Sequence, residues 1–407
     1  ASQEANNRLL PTVGTAVFTW LVTAAITRTL LPALGPVVPA VAVVALAQAF
    51  DAYRDTTDPI SSKRRRALST VGVALGATAV GVSVGQRQTA MGETAPPLEG
   101  QGVDDEDVQA KLDTAESNSF DIDGIEPLVS ERFFEVDINS IDPNPKADDY
   151  TLSITGSVES AETFSYDELK EMDAVNKFST LRCVGGQLNG RKMDNALWTG
   201  VPLQRLVERA GVQSDCNCVL LKAEDGYEVE FPLEAFNRGL AVYGMNGNQL
   251  PRGHGYPVRA VIPGHWGEVN TKWLTEIELL NSEVDGYWEQ RGWQGTGPVK
   301  PVATLKHDEM LDDGQRLLAG HAYAGLRGVS KVEVSTDGGS SWSEATLSDP
   351  LPATEGDSPA EDAWRQWRDT AERAVSPEAV VRALDGDGHV QAREETDPSP
   401  GASSEWV

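Results

Sequence analysis

Apolar and polar residues alternate with period two at several places in the middle of the chain, the pattern of strands buried on one face. Phe133-Phe134-Glu135-Val136-Asp137-Ile138 and Tyr150-Thr151-Leu152-Ser153-Ile154-Thr155-Gly156 predict two such strands. Shorter apolar runs predict strands at 219–222, 228–231 and 258–262. Two helices interrupt them. One begins after Ser165 and runs from Tyr166 to Met172, with the serine as N-cap. The other covers 203–210 and stops at Gly211, the residue type helix C-termini favour. This mixture predicts an α+β domain. Beyond Pro298 only strand patterns remain. Val329-Ser330-Lys331-Val332-Glu333-Val334-Ser335 alternates, Thr336-Asp337-Gly338-Gly339-Ser340 turns, and 341–347 returns as its partner. Ala363-Trp364-Arg365-Gln366-Trp367 and the hairpin from Val380 through Gly386-Asp387-Gly388 add later strands, so the second domain is expected to be an all-β sandwich.

The amino-terminal part has a different pattern. Residues 12–27, 30–50 and 67–85 carry no charge and are rich in Val, Ala and Leu, which predicts two or three transmembrane helices. Lys63-Arg64-Arg65-Arg66 lies between the second and third stretches, and the positive-inside rule puts that loop in the cytoplasm and all that follows residue 90 outside. Arg65-Arg66-Ala67-Leu68 before an apolar stretch also resembles a twin-arginine export signal, which gives the same sidedness. Residues 91–128 are acidic, with weak apolar periodicity, and read as a solvated linker. The expected organisation is an anchor over 1–90, the linker over 91–128, an α+β domain over 129–297, a β-sandwich over 298–395 and a loose tail over 396–407.

Composition sharpens the picture. The 407 residues carry a formal net charge of −28, which excludes nucleic acid and anionic membrane surfaces as partners. Acid spread in this way suits a protein kept soluble in concentrated salt, a halophilic habit. There are three cysteines. Cys216 and Cys218 are separated by a single residue, a spacing expected to leave them unbridged. Cys183 has no obvious partner, and no Cys/His cluster has zinc spacing. All five histidines lie at 254 or beyond, which excludes a haem held by two histidines within the anchor.

Candidate chemistry concentrates on Cys183. It leaves an apolar strand in Thr180-Leu181-Arg182-Cys183-Val184-Gly185-Gly186, where its sulfur can point into a cleft. Trp198-Thr199-Gly200-Val201-Pro202-Leu203 follows, then His254-Gly255-Tyr256-Pro257-Val258-Arg259, Pro263-Gly264 and Lys272-Trp273. In order and spacing these motifs resemble the sulfite oxidase family of molybdopterin-dependent oxidoreductases, over roughly residues 129 to 395. The resemblance implies a molybdenum-molybdopterin cofactor whose metal is bound by the Cys183 thiolate, a soft ligand suited to it. It assigns His254, Arg259, Lys272 and Trp273 to the pterin and its phosphate, places Asp225 near the cofactor, and adds donors around Val269, Asn270 and Thr271. Gly264 and Gly267 would let the backbone approach the cofactor. The family places a tyrosine near the metal, and Tyr287 stands in that region. It also places an immunoglobulin-like dimerisation domain after the first domain, which implies a homodimer.

The departures bear on substrate. Sulfite oxidases carry an Arg-Asn-His triplet where this chain has Val136-Asp137-Ile138-Asn139, and arginines after the metal cysteine where it has Val184-Gly185-Gly186-Gln187-Leu188. An anion site needs desolvated cations. Arg182, Arg191 and Lys192 are the candidates to supply them. Met193 and Trp198-Thr199-Gly200 look closer to the bacterial methionine sulfoxide reductase branch. The expectation is therefore a membrane-anchored, extracytoplasmic enzyme that transfers an oxygen atom to or from a small substrate such as sulfite or a sulfoxide. It exchanges electrons with an external carrier, a cytochrome or blue-copper protein. The competing expectation is a cofactor-free, membrane-tethered β-sandwich binding protein, which has no use for Cys183, His254 or Lys272.

Overall fold

The computed structural model describes residues 87–90, 105–293, 297–354, 359–371 and 379–393. The three apolar stretches at 12–27, 30–50 and 67–85 lie outside them, as does the tail beyond 393. Among the described residues no helix is long and apolar enough to cross a membrane.

Strand β1 (Arg87–Ala90) and strand β2 (Arg132–Glu135) form an antiparallel pair. Between them, helix α1 (Asp105–Asn118) corrects the linker reading. Most of its residues are polar, but Val108 and Ala115, two turns apart, are buried with Leu128 against the body of the protein. Val108, Leu112 and Ala115 recur at i, i+4 and i+7, a short helical stripe among mostly polar residues, and this is enough to seat the helix.

The first domain is built on two five-stranded sheets. Its elements are β3 (Thr151–Gly156), β4 (Glu162–Ser165), α2 (Tyr166–Glu171), β5 (Val175–Arg182), β6 (Met193–Pro202), α3 (Leu203–Ala210), β7 (Cys218–Ala223), β8 (Glu228–Pro232), α4 (Leu233–Phe236), β9 (Leu240–Met245), β10 (Asn248–Gln249), β11 (Arg259–Val261) and β12 (Leu274–Leu279). One sheet runs β4-β3-β12-β7-β8, and the other β10-β9-β6-β5 with β11 on β9. Helix α2 starts where expected because Ser165 and Glu168 form a reciprocal capping box. Helix α3 buries Leu203, Leu206, Val207 and Ala210, a single stripe at helical spacing. These side chains join Leu152, Ile154, Phe164, Val219, Phe231, Tyr243 and Ile277 in the main core. A second apolar cluster, with Phe133, Phe134, Trp198, Val242 and Met245, packs β2 on the β5–β6 sheet.

The cysteine expectation is corrected here. Cys216 and Cys218 form a disulfide, with Cα atoms 5.2 Å apart. Asn217 between them takes φ 53°, the left-handed conformation that asparagine tolerates better than most residues, and this folds the backbone back on itself. Cys183 is the free cysteine.

The second domain is all-β, as expected. Strands β13 (Val302–Ala303), β14 (His307–Met310), β15 (Arg316–Tyr323), β16 (Val329–Ser335), β17 (Ser343–Glu344), β18 (Thr346–Leu347), β19 (Arg365–Ala371) and β20 (Val380–Asp385) form two antiparallel sheets, one around β15 and β19 and one around β16. Leu318, Ala322, Val332, Val334, Trp367 and Val381 fill the core.

A buried polar clamp joins the two domains. The Asp362 carboxylate accepts from Ser179 Oγ and from Tyr323 Oη (2.6 Å), and its carbonyl accepts from Thr180 N (2.8 Å). Burial raises this carboxyl from 3.8 to about 7. A carboxyl that binds its proton more tightly folded than unfolded contributes stability at low pH, and that contribution is lost as pH rises from about 4 through about 7. Asp362→Asn, neutral at every pH, is therefore expected to flatten this part of the pH dependence of the urea midpoint. An unchanged slope between pH 5 and 8 would refute the clamp's role.

Candidate functional site

The first domain encloses a cavity of about 270 Å³ among β2, the turn after β5, the β7–β8 hairpin, the segment from His254 to Trp273 and the loop carrying Trp288 and Trp293. Cys183 lies on its wall immediately past β5. The turn is fixed by two backbone bonds, Cys183 N to Lys192 O (2.9 Å) and Gly186 N to Cys183 O (3.1 Å). Gly267 packs against this turn: a Cβ there would stand 3.5 Å from Cys183 Cα. Burial is the main influence on the thiol and raises its pKa, with Lys192 opposing.

Three basic side chains, Arg259, Lys272 and His254, line the same cavity. Arg259, at the start of β11, is 5% exposed, and its guanidinium donates to His254 O (3.1 Å), Asn270 O (2.9 Å) and Ala260 O (3.4 Å). It lies over the Trp198 ring, 5.2 Å from the centroid. Among the described residues it has no carboxylate partner, and burial lowers its pKa from 12.5 to about 9. A buried, uncompensated guanidinium is costly unless an anion completes it. Lys272 donates to Asp137 Oδ2 and to Gly253 O, both at 2.9 Å, so much of its charge is already answered. His254 is 1% exposed; its Nε2 has no hydrogen-bond partner and sits 3.7 Å from Glu135 Oε1. Burial, then Arg259 and Lys272, hold its pKa well below 6.5, so the ring is neutral. Gly255 makes this grouping possible. It adopts φ 107°, and a Cβ would stand 3.0 Å from Lys272 Cα and 3.1 Å from Arg259 Cβ.

The remaining sequence candidates divide. Asp225 lines the cavity from the β7–β8 turn, where its carboxylate accepts from Asn139 Nδ2 (2.6 Å) and Tyr227 N (3.0 Å). Trp273 lines it too, with a left-handed backbone (φ 50°) held by its indole N–H to Arg252 O (3.0 Å). A tryptophan in that region is strained, and such strain gathers at functional sites. Asn270 and Thr271 border the cavity, but the Asn270 amide is spent on Ile262 N (2.7 Å) and Trp266 O (3.0 Å). The backbone amides of Val269, Asn270 and Thr271 donate to Trp266 O, Gly267 O and Val269 O, which leaves them no free donors for a ligand. Gly264 packs against Leu326 of the second domain, away from the cavity. Tyr287 does not border the cavity; its ring stacks with Arg291 (3.5 Å) behind Trp288, and it is Trp288 and Trp293, stacked at 4.5 Å, that reach the wall.

Sequence reasoning missed Glu135, Asp137, Tyr227, Glu268, Trp288 and Trp293 as lining residues. For the first two a signal existed: acids at alternate positions of an otherwise apolar strand need basic partners. Glu268 is noteworthy because both its carboxyl oxygens are buried without a partner, and burial, with Glu289, raises its pKa to about 8.

Two family profiles match the chain, the oxidoreductase molybdopterin binding domain over residues 139–288 and the Mo-co oxidoreductase dimerisation domain over residues 298–398. It is 30% identical over 150 residues to an uncharacterized oxidoreductase, YuiH, of Bacillus subtilis, covering 36% of this chain and 74% of that protein. It is 24% identical over 299 residues to the sulfite oxidase of Arabidopsis thaliana, covering 60% of this chain and 76% of that one. It spans only 30% of the length of the plant nitrate reductases it also matches. Its fold is shared with the sulfane dehydrogenase SoxCD of Paracoccus pantotrophus (TM-score 0.56, 22% identity, covering 66% of this chain and 75% of that one). With a thiol, a neutral imidazole and an uncompensated guanidinium converging on one cavity, these likenesses set aside the cofactor-free reading. The chain belongs to the sulfite oxidase family of molybdopterin-binding oxidoreductases.

Proposed function

We propose that the cavity holds a molybdenum-molybdopterin cofactor and carries oxygen-atom transfer on a small substrate, sulfite first among them. Written for sulfite, one water oxygen is gained, sulfate forms, and two protons and two electrons leave, the electrons to an external carrier such as a cytochrome or blue-copper protein. When bound, the cofactor supplies the two-electron exchange and the site of oxygen transfer.

The observation that carries this reading is a buried Arg259 without a carboxylate partner among the described residues, lining one cavity with the free Cys183 thiol. The residues fit the group. Cys183 offers a soft ligand for the metal. Arg259 and Lys272 offer cations for the phosphate, Arg259 as a planar fork and Lys272 as a point charge. His254 Nε2, orphaned inside the protein, needs a hydrogen-bond partner that a pterin can provide. Trp288 and Trp293, stacked on each other, supply an apolar aromatic wall on the side of the loop.

The apolar stretches at 12–27, 30–50 and 67–85 support a membrane anchor of two or three helices, and the basic run at 63–66 supports an extracytoplasmic catalytic part. The match to a dimerisation domain over 298–398 supports a homodimer. The charge of −28 supports a salt-adapted protein.

Elemental analysis with a substrate panel tests the reading. About one molybdenum per chain is expected after expression in a host that makes the cofactor, with sulfite oxidised in the presence of an artificial acceptor. Metal-free protein from such a host would defeat the proposal. Turnover of sulfoxides with a reductant, and none of sulfite, would move the substrate to the sulfoxide branch.

A further inference from the structure

A small oxyanion needs a positive charge that the site can spare. Arg259 is wrapped in carbonyls under Trp198, and Lys272 is paired with Asp137, so the basic side of the cavity offers the substrate little. Of the three cations that could replace the missing arginines, two do not line the main cavity. Arg182 is buried with its guanidinium on Lys300 O (3.0 Å) and 4.8 Å from the Trp266 ring, and Arg191 is exposed and does not line the cavity.

Lys192 differs from both. It opens the return from the glycine turn into β6, and its carbonyl accepts the Cys183 amide at 2.9 Å. Its side chain is half-buried and lines both the main cavity, which Arg182 does not reach, and a small recess of about 10 Å³ that borders Cys183 and Arg182. Gly186 leaves room for its stem, since a Cβ there would lie 3.2 Å from Lys192 Cβ. Among the described residues the Lys192 ammonium has neither an ion pair nor a side-chain hydrogen bond. An ammonium without a partner, on a half-buried lysine beside the proposed metal ligand, is an arrangement that an incoming anion completes.

We infer that Lys192 is the specificity-determining cation of this site: it binds a small oxyanion, of the size and charge of sulfite or sulfate, next to Cys183. The inference rests on the oxygen-transfer reading for the identity of the reaction, but the anion site can be tested without turnover. Trp288 and Trp293 line the same cavity and report its occupancy. The experiment is a fluorescence titration of the holoenzyme with sodium sulfate at fixed ionic strength, paired with sulfite kinetics.

Lys192→Met is expected to weaken sulfate binding by about tenfold or more, the loss that follows removal of a charged hydrogen bond. It is expected to raise KM for sulfite by a similar factor with a smaller change in kcat. Lys192→Arg should largely restore both, and Arg191→Met, one residue outside the cavity, should alter neither. Lys192→Gln carries the same expectation as Lys192→Met if the methionine variant does not fold. Sulfate binding unchanged in the methionine or glutamine variant, or absent from the wild type, overturns the inference. Sulfate binding that follows Lys192 in a protein that does not oxidise sulfite would keep the anion site and overturn the oxygen-transfer reading instead.

Discussion

Cys183→Ser is expected to lower turnover of the molybdenum-loaded protein by at least about 100-fold, since loss of a partner merely outside a metal's ligand set already costs about 10–100-fold. The same change should hardly affect folding. Serine is nearly isosteric with cysteine, the site is half-buried, and the turn is fixed by backbone bonds to Lys192 and Gly186 that serine keeps. The two readouts separate the roles. A free cysteine that is only packing should lose some stability and no activity. A thiolate ligand should lose activity and little stability, because a hard hydroxyl is a poor substitute for a soft sulfur. Steady-state kinetics at matched molybdenum content, with a urea titration of the same sample, decide between them.

Lys272→Met is expected to be the most destabilising change in the cationic wall. Lys272 Nζ and Asp137 Oδ2 are 2.9 Å apart, with side chains only 9% and 10% exposed. Removing one member of such a pair strands the other, at about 3–5 kcal/mol. For a domain of this size that corresponds to a fall in Tm on the order of 10 °C. Asp137→Asn in the Lys272→Met background should recover part of the loss, because the stranded charge is gone. Calorimetry of the single and double variants tests this, and additive losses would deny the coupling. The expected secondary effect is poorer cofactor retention, since the same ammonium faces the cavity.

Much of this architecture could be read from the chain because local rules and tertiary packing agree. Ser165 caps a helix in sequence and in space, and the β16 alternation puts Val332 and Val334 inward as its period requires. Cys183 stood out only through the resemblance carried by the motifs that follow it, since a lone cysteine is more often a small packed residue. The residues that escaped notice are joined by folding alone. Asp137 and Lys272 are 135 residues apart, and nothing local marks them as partners. Trp288 and Trp293 lie in an irregular segment without periodicity, so which aromatic faces inward could not be told from Tyr287 beside them. The Cys216–Cys218 bridge depends on a left-handed Asn217, a backbone choice that residue spacing does not reveal.

The most direct test of the account is X-ray absorption at the molybdenum edge, recorded on wild-type protein and on Cys183→Ser. One sulfur fewer around the metal in the serine variant is the predicted result. The same number of sulfur ligands in both proteins would show that the metal is not held by this cysteine, and the site built around it would have to be abandoned.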